Sequence, residues 1–272
     1  TSEMICSGSS TGISLTSTPA GATFAWTVVE SGTSGASAGS GASISQTLTA
    51  TGAAAGTATY TVTPTIGSCP GTPINIPITV NPVPVITATP TAQSFCSGGT
   101  TSIALSITPV GTPMSWTVVQ SGVSGASAGS GTSIAQTLSA TGASAGTATY
   151  TVTAANGTCV ATPVDVAITV SPLLTVAATP TSETICSGSS TGIALTSTPA
   201  GATFAWTVVE SGTSGASAGA GANINQTLSV TGLVSGTTTY TVTPAIGVCV
   251  GSPIDVVITV NPTPTVAATP TA

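Results

Sequence analysis

Six cysteines and six carboxylic acids are the only side chains in this 272-residue chain that bring thiol or acid chemistry, and both sets are periodic. The thiols are Cys6, Cys96 and Cys186, then Cys69, Cys159 and Cys249, each trio spaced by 90 positions. The acids are Glu3, Glu30, Asp165, Glu183, Glu210 and Asp255, and no lysine, arginine or histidine accompanies them. A thiol or hydroxyl nucleophile needs a base or a cation beside it, and this chain has neither imidazole nor amine. Zinc needs three or four ligands, so two sulfurs per 90 residues without histidine do not make a site. Schiff-base chemistry and phosphate cradling through a P-loop lysine are excluded in the same way. The acids fail a further test. Glu3 and Glu183 correspond to Gln93, Glu30 and Glu210 to Gln120, and Asp165 and Asp255 to Asn75. A general acid or calcium ligand does not tolerate replacement by an amide, so these read as exposed polar positions. No catalytic, cofactor-binding or metal residue is assigned, and the chain reads as a non-enzyme.

The remaining chemistry of the cysteines is oxidation. Paired, periodic cysteines in a charge-poor chain point to an oxidising compartment outside the cell. Two arrangements suit the period: pairing within each unit, Cys6–Cys69, Cys96–Cys159 and Cys186–Cys249, or pairing across units, Cys69–Cys96 and Cys159–Cys186. The first is the expectation, because closing roughly 64 residues stabilises a self-contained domain by about 4 kcal/mol in the chain-entropy model.

The elements that position these groups follow from the same repeat. Trp26, Trp116 and Trp206, and Tyr60, Tyr150 and Tyr240, also recur every 90 residues. The units are 1–90, 91–180 and 181–270, with 271–272 beginning a further copy. Ninety residues exceed a one-layer solenoid repeat and suffice for a small domain. Within a unit the apolar period is two: Phe24, Trp26 and Val28 share a face, and Ala58, Tyr60 and Val62 alternate with Thr57, Thr59, Thr61 and Thr63. Alternation rich in β-branched residues and punctuated by Gly, Pro and Ser is a strand signal. About seven strands per unit predict an all-β chain of tandem immunoglobulin-like sandwiches in an extended array. The three Trp are expected as core plugs against the disulfides, with the three Tyr in the same cores. Segment 31–43, SGTSGASAGSGAS, reads as a connection too flexible for the core, and Pro77 predicts an edge or a bulge. The proline-marked junctions, such as NPVPVITATPTA, read as semi-rigid joints leading into the next unit.

Composition narrows the partners. The formal net charge is −6 with 2% charged residues, so phosphate neutralisation and nucleic-acid binding are excluded. No apolar stretch approaches the ~18 residues of a spanning helix, so no membrane insertion is expected. A surface with so little like-charge repulsion favours further copies of the same repeat or chain as partners, in a filament or bundle.

The motifs TICSGSSTGIALTS, FAWTVVESGTSGASAGSG, GTATYTVTP and PIDVVITVNPTPT resemble the PKD-like repeats of secreted Bacteroidota cell-surface proteins, including gliding-motility-type adhesins. The resemblance runs through all three units. It implies an Ig-like sandwich, an extracellular or surface-linked location and the type IX export route, and it brings no catalytic or binding residue. The chain departs from other PKD domains in lacking a Trp-Asp-Phe-Gly-Asp-Gly motif. The expected function is a non-catalytic stalk or fibre segment of a long surface protein. The alternative is an adhesive module whose repeats bind glycan or another surface ligand, which requires exposed aromatics or a polar cleft.

Overall fold

The computed structural model describes residues 2–269, so the expected start of a further copy at 271–272 lies outside the described residues. Among them there is no helix; the chain forms three β-sandwiches in tandem, as the alternation predicts. The middle one serves as reference. Its longest strand, Gly146–Asn156, places Ala148, Tyr150 and Val152 inward with no exposed surface and threonines outward. Met114–Ser121 and Val164–Ser171 pair antiparallel to its two edges. Ala92–Cys96 adds parallel to Val164–Ser171, and Gly129–Ser130 closes the opposite side. The facing layer carries Val85–Thr89, Ile103–Thr108 and Ser133–Ile134 in one ladder and Gly99–Thr100, Thr137–Ala140 and Val123–Ser124 in another. Seven of these strands have four residues or more, and the rest are two-residue pieces.

Between the layers lie Ile103, Ile134, Leu138, Tyr150 and Ile168, all essentially inaccessible. Each such side chain contributes about 1.5–3 kcal/mol by leaving water. Each repeat has its own cluster of this kind, so each holds a core without help from a cystine.

Segment 31–43 differs from expectation. It is pinned, not loose: Thr33–Ser34 and Ser43–Ile44 pair with neighbours, and Gly39–Ser40 joins the main sheet beside Trp26. Gly39 is required there, since a Cβ would stand 2.7 Å from the Trp26 ring. Trp26 Nε1 donates to the Ser37 carbonyl at 3.1 Å, and the Gln46 amide grips Ser37 through both its main chain and its hydroxyl. Tyr60 is wholly buried and donates its hydroxyl to Gln46 Oε1 at 2.8 Å. The tryptophans are therefore buried plugs, but they pack on glycine. No cystine lies within a repeat for them to meet.

Pro77 sits in an inner strand, Ile74–Asn81, without a bulge: the register Pro77↔Thr59 is continuous with its neighbours. It is tolerated because the parallel partner Glu3–Cys6 first pairs at Ile78. The equivalent Ala167 donates its N–H to the Thr91 carbonyl, a bond that proline forgoes.

The first strand of the middle sandwich, Val85–Thr89, follows only three residues after the last strand of the first, Ile74–Asn81. It pairs antiparallel with Ile103–Thr108, and Thr175–Thr179 does the same with Ile193–Thr198. Proline-marked joints thus run directly into a strand, termed here the lead strand.

Candidate functional site at the junctions between repeats

The acids come together nowhere, and among the described residues no group of three or more His, Cys, Asp or Glu side chains could hold a metal ion. Five of the six acids, all but Glu183, instead act as hydrogen-bond acceptors. Asp165 and Asp255 accept from the Thr151 and Thr241 hydroxyls at 2.6 and 2.7 Å, and Asn75 Oδ1 accepts from Thr61 at 2.8 Å. Glu30 and Glu210 accept from the Ala36 and Ala216 N–H at 2.9 Å. Gln93 accepts from the Ser102 N–H at 3.0 Å, in the place where Glu3 accepts from Gly12. An amide oxygen does the same work as a carboxylate oxygen here, which explains the exchange between copies. Glu3, Gln93 and Glu183 are half-buried, not exposed, and Glu183 Oε2 is enclosed without a partner. The other acids are exposed as expected.

All nine aromatic side chains are buried or half-buried. Burial raises the pKa of the Tyr60, Tyr150 and Tyr240 hydroxyls above the usual tyrosine value. The nearby charge of Glu30 adds to the effect at Tyr60, and that of Glu210 at Tyr240, which is pushed up to about 12.

The cysteines overturn the expected pairing. Cys6 is bonded to Cys159 and Cys96 to Cys249, each link joining one repeat to the next, while Cys69 and Cys186 are free and exposed. Neither arrangement drawn from the spacing is the one formed. The reason is the parallel strand. Because Glu3–Cys6 runs alongside Ile78–Asn81, Cys6 lies opposite Asn81, the residue from which the chain leaves for the next repeat. The Ser7 N–H extends this ladder to the Asn81 carbonyl at 2.8 Å. The second cysteine of a repeat sits in a hairpin at the opposite pole: Cys159 pairs with Asn156 around a turn whose Gly157 has φ +62°. First and second cysteine of one repeat thus sit on strands that end at opposite poles, while the first meets the second of the following repeat across Pro82–Pro84. Nothing in the spacing reveals this, since the parallel pairing is a tertiary fact.

Three features converge at each junction: the short peptide, the cystine and the lead strand. The linker is itself packed. Pro82 and Pro84 are buried, and Leu174, 4% exposed, lies so close to Gly251 that no side chain fits there. The junction therefore joins neighbouring sandwiches both covalently and by packing.

The corresponding pole of the first repeat is open. A cavity of about 590 Å³ is lined there by Ile13, Leu15, Phe24, Pro64, Cys69 and Ile74, among others. In the second repeat the lead strand pairs along Ile103–Thr108 and Cys159 is buried, while a cavity of about 560 Å³ lined by Leu105, Ile107 and Met114 remains beside it.

Comparison with known structures agrees with this architecture. The N-terminal eight Ig domains of Down Syndrome Cell Adhesion Molecule align over 97% of this chain and 36% of that one, at 13% identity and a TM-score of 0.52. The chain therefore spans about a third of that structure's length. Mouse cadherin-23 EC22–24 aligns over 96% of this chain and 95% of its own, with 10% identity and a TM-score of 0.37. Sidekick-1 immunoglobulin domains 1–4 align over 97% and 74%, with 13% identity and a TM-score of 0.37. Of these only the first bears on the fold, and at 13% identity it bears on nothing else. No curated protein matches the sequence. The PKD-like domain family, in contrast, matches three times, at residues 3–84, 87–173 and 183–264, and the chain belongs to that family.

Proposed function

We propose that this chain is a non-catalytic spacer, a stalk or fibre segment of a long extracellular surface protein of the gliding-motility adhesin type found in Bacteroidota. The observation that carries the reading is the cystine at each junction, which joins neighbouring sandwiches instead of stabilising one of them. A domain that binds ligand in isolation gains nothing from such a link; a rod that must keep its direction under load does. Cystines also favour an oxidising location, outside the cell or on its surface. The family match and the tandem Ig-like neighbour, described as a cell adhesion molecule, support a place in adhesion. The buried aromatics remove the main support for glycan binding by the repeats themselves.

Small-angle scattering of the oxidised and the reduced protein tests this. A rod cross-section with a narrow distance distribution in the oxidised state, broadening on reduction, is expected. A compact particle with the repeats folded against one another would overturn the spacer reading.

A further inference from the structure

The hairpin turn that meets the first repeat at its junction carries a reactive pair that its sister turns lack. We propose that Asn156 is a self-modifying site, losing its side-chain amide to attack by the Gly157 nitrogen and becoming an aspartyl or isoaspartyl residue beside the Cys6–Cys159 bond. This chemistry does not depend on the spacer reading.

Asparagine is among the thermolabile residues. Its loss is governed by the residue that follows, because the next main-chain nitrogen is the attacking atom and a side chain there obstructs it. Of the six asparagines only Asn156 precedes glycine; the others precede Ile, Pro or Gln. Gly157 is present for the turn, with φ +62°, as are Gly67 at +59° and Gly247 at +55°. A two-residue hairpin loop needs such a residue. The sister turns place Ile66 and Ile246 before that glycine, and isoleucine has no amide to lose.

The ladder leaves the reacting atoms free. The Ala161 N–H donates to the Ala154 carbonyl at 2.9 Å, and Asn156 opposite Cys159 forms the last rung. Gly157 and Thr158 lie beyond it and are exposed. Among the described residues, neither the Gly157 N–H nor the Asn156 side chain has a hydrogen-bond partner. By contrast, Asn75 is held by Thr61 at 2.8 Å and Asn261 by Ser235 at 2.7 Å.

In the first step the Gly157 nitrogen bonds to Asn156 Cγ, and the side-chain nitrogen leaves as ammonia, taking the Gly157 amide proton. A succinimide ring results. Water then breaks one of its two C–N bonds. Breaking the bond to Cγ restores the ordinary main chain and leaves a side-chain acid. Breaking the bond to the main-chain carbonyl routes the chain through the side chain, one carbon longer. One water is consumed, one ammonia is released, and nothing is oxidised or reduced.

The position makes the change consequential. A Cβ on Gly157 would stand 3.9 Å from Asn81 Nδ2, and the Thr158 hydroxyl lies 4.0 Å from Cys6 Sγ, so this turn is where the second repeat touches the end of the first. A new charge there finds no lysine, arginine or histidine to pair with. The sister junction at Cys96–Cys249 has no such residue, so the two junctions become chemically unlike as the protein ages.

The test incubates the oxidised full chain in warm, mildly alkaline buffer beside a synthetic peptide of residues 154–160. A mass gain equal to exchanging NH for O is expected, with a more anionic species on ion exchange and isoaspartate mapped to position 156. Asn156→Ile, the residue of both sister turns, should fold and gain no mass. Asn156→Gln keeps an amide but needs a larger ring, and should slow the change at least tenfold. A folded chain without detectable isoaspartate after the peptide has fully converted would overturn the proposal. So would an undiminished mass gain in Asn156→Ile.

Discussion

Cys6 in the first repeat and Cys159 in the second, 153 positions apart in sequence, stand with their Cα atoms 5.4 Å apart and their sulfurs bonded. Cys96 and Cys249 repeat the relationship one unit on. The two covalent loops interlock, and this determines how the chain responds to tension.

Pulled from its ends, the oxidised chain cannot extend by its full contour. The shortest covalent route runs through residues 1–6, back from 159 to 96, and on from 249 to 272, about a third of the chain. At roughly 3.4 Å per residue the fully unfolded contour is therefore expected to be about a third of that of the reduced chain. Single-molecule force spectroscopy with and without reductant measures this. Equal contours in both states would mean that the cystines do not bridge repeats.

Reduction should loosen the junctions more than the sandwiches, because each repeat keeps its own core. Limited proteolysis after reduction is expected to cut first near Pro82–Pro84 and 172–174, leaving single repeats intact. Cleavage inside the long central strands at the same rate would contradict it.

Gly129 holds the Trp116 ring as Gly39 holds Trp26, with a Cβ position 2.7 Å from the ring. Gly129→Val forces the indole off its seat and is expected to cost about 1–3 kcal/mol. Thermal unfolding monitored by tryptophan fluorescence reads the loss; an unchanged melting point would show that the indole has room to move.

Alkaline pH should destabilise the fold through the tyrosines. Their hydroxyls bind protons more tightly when folded than when unfolded, so their contribution is fully present below the unfolded value of about 10 and is lost as pH rises through the raised folded values, which for Tyr240 is about 12. Ultraviolet titration of the phenolates should show Tyr240 ionising last. Glu210→Gln removes the added charge and should bring Tyr240 down towards Tyr150, whose counterpart position is already Gln120. No movement of the midpoint would leave burial as the sole cause.

Asp255→Asn should leave stability within about 0.5 kcal/mol, because Thr241 keeps an acceptor. Chemical denaturation checks it, and a larger loss would mean that the charge itself matters there.

Much of this was legible beforehand, element by element. The alternation through Tyr60, Tyr150 and Tyr240 identified the central strands because a half-buried strand must turn every second side chain inward. The same pattern marked Trp26, Trp116 and Trp206 as core. Segment 31–43 misled because small residues suggest freedom, while Gly39 is small so that Trp26 can lie on it, and Gln46 ties Ser37 down. Amide-for-acid exchange between copies has its physical reason in the hydrogen bonds, since Asn75 accepts from Thr61 as Asp165 and Asp255 accept from Thr151 and Thr241.

The sequence alone determined that this is a threefold, all-β, cation-free chain, because periodicity, composition and alternation are local properties that any copy displays. Only the tertiary structure decided which cysteines meet and where one sandwich ends. Strand pairing joins residues by spatial neighbourhood, and the parallel edge that brings Cys6 beside Asn81 has no counterpart in sequence distance.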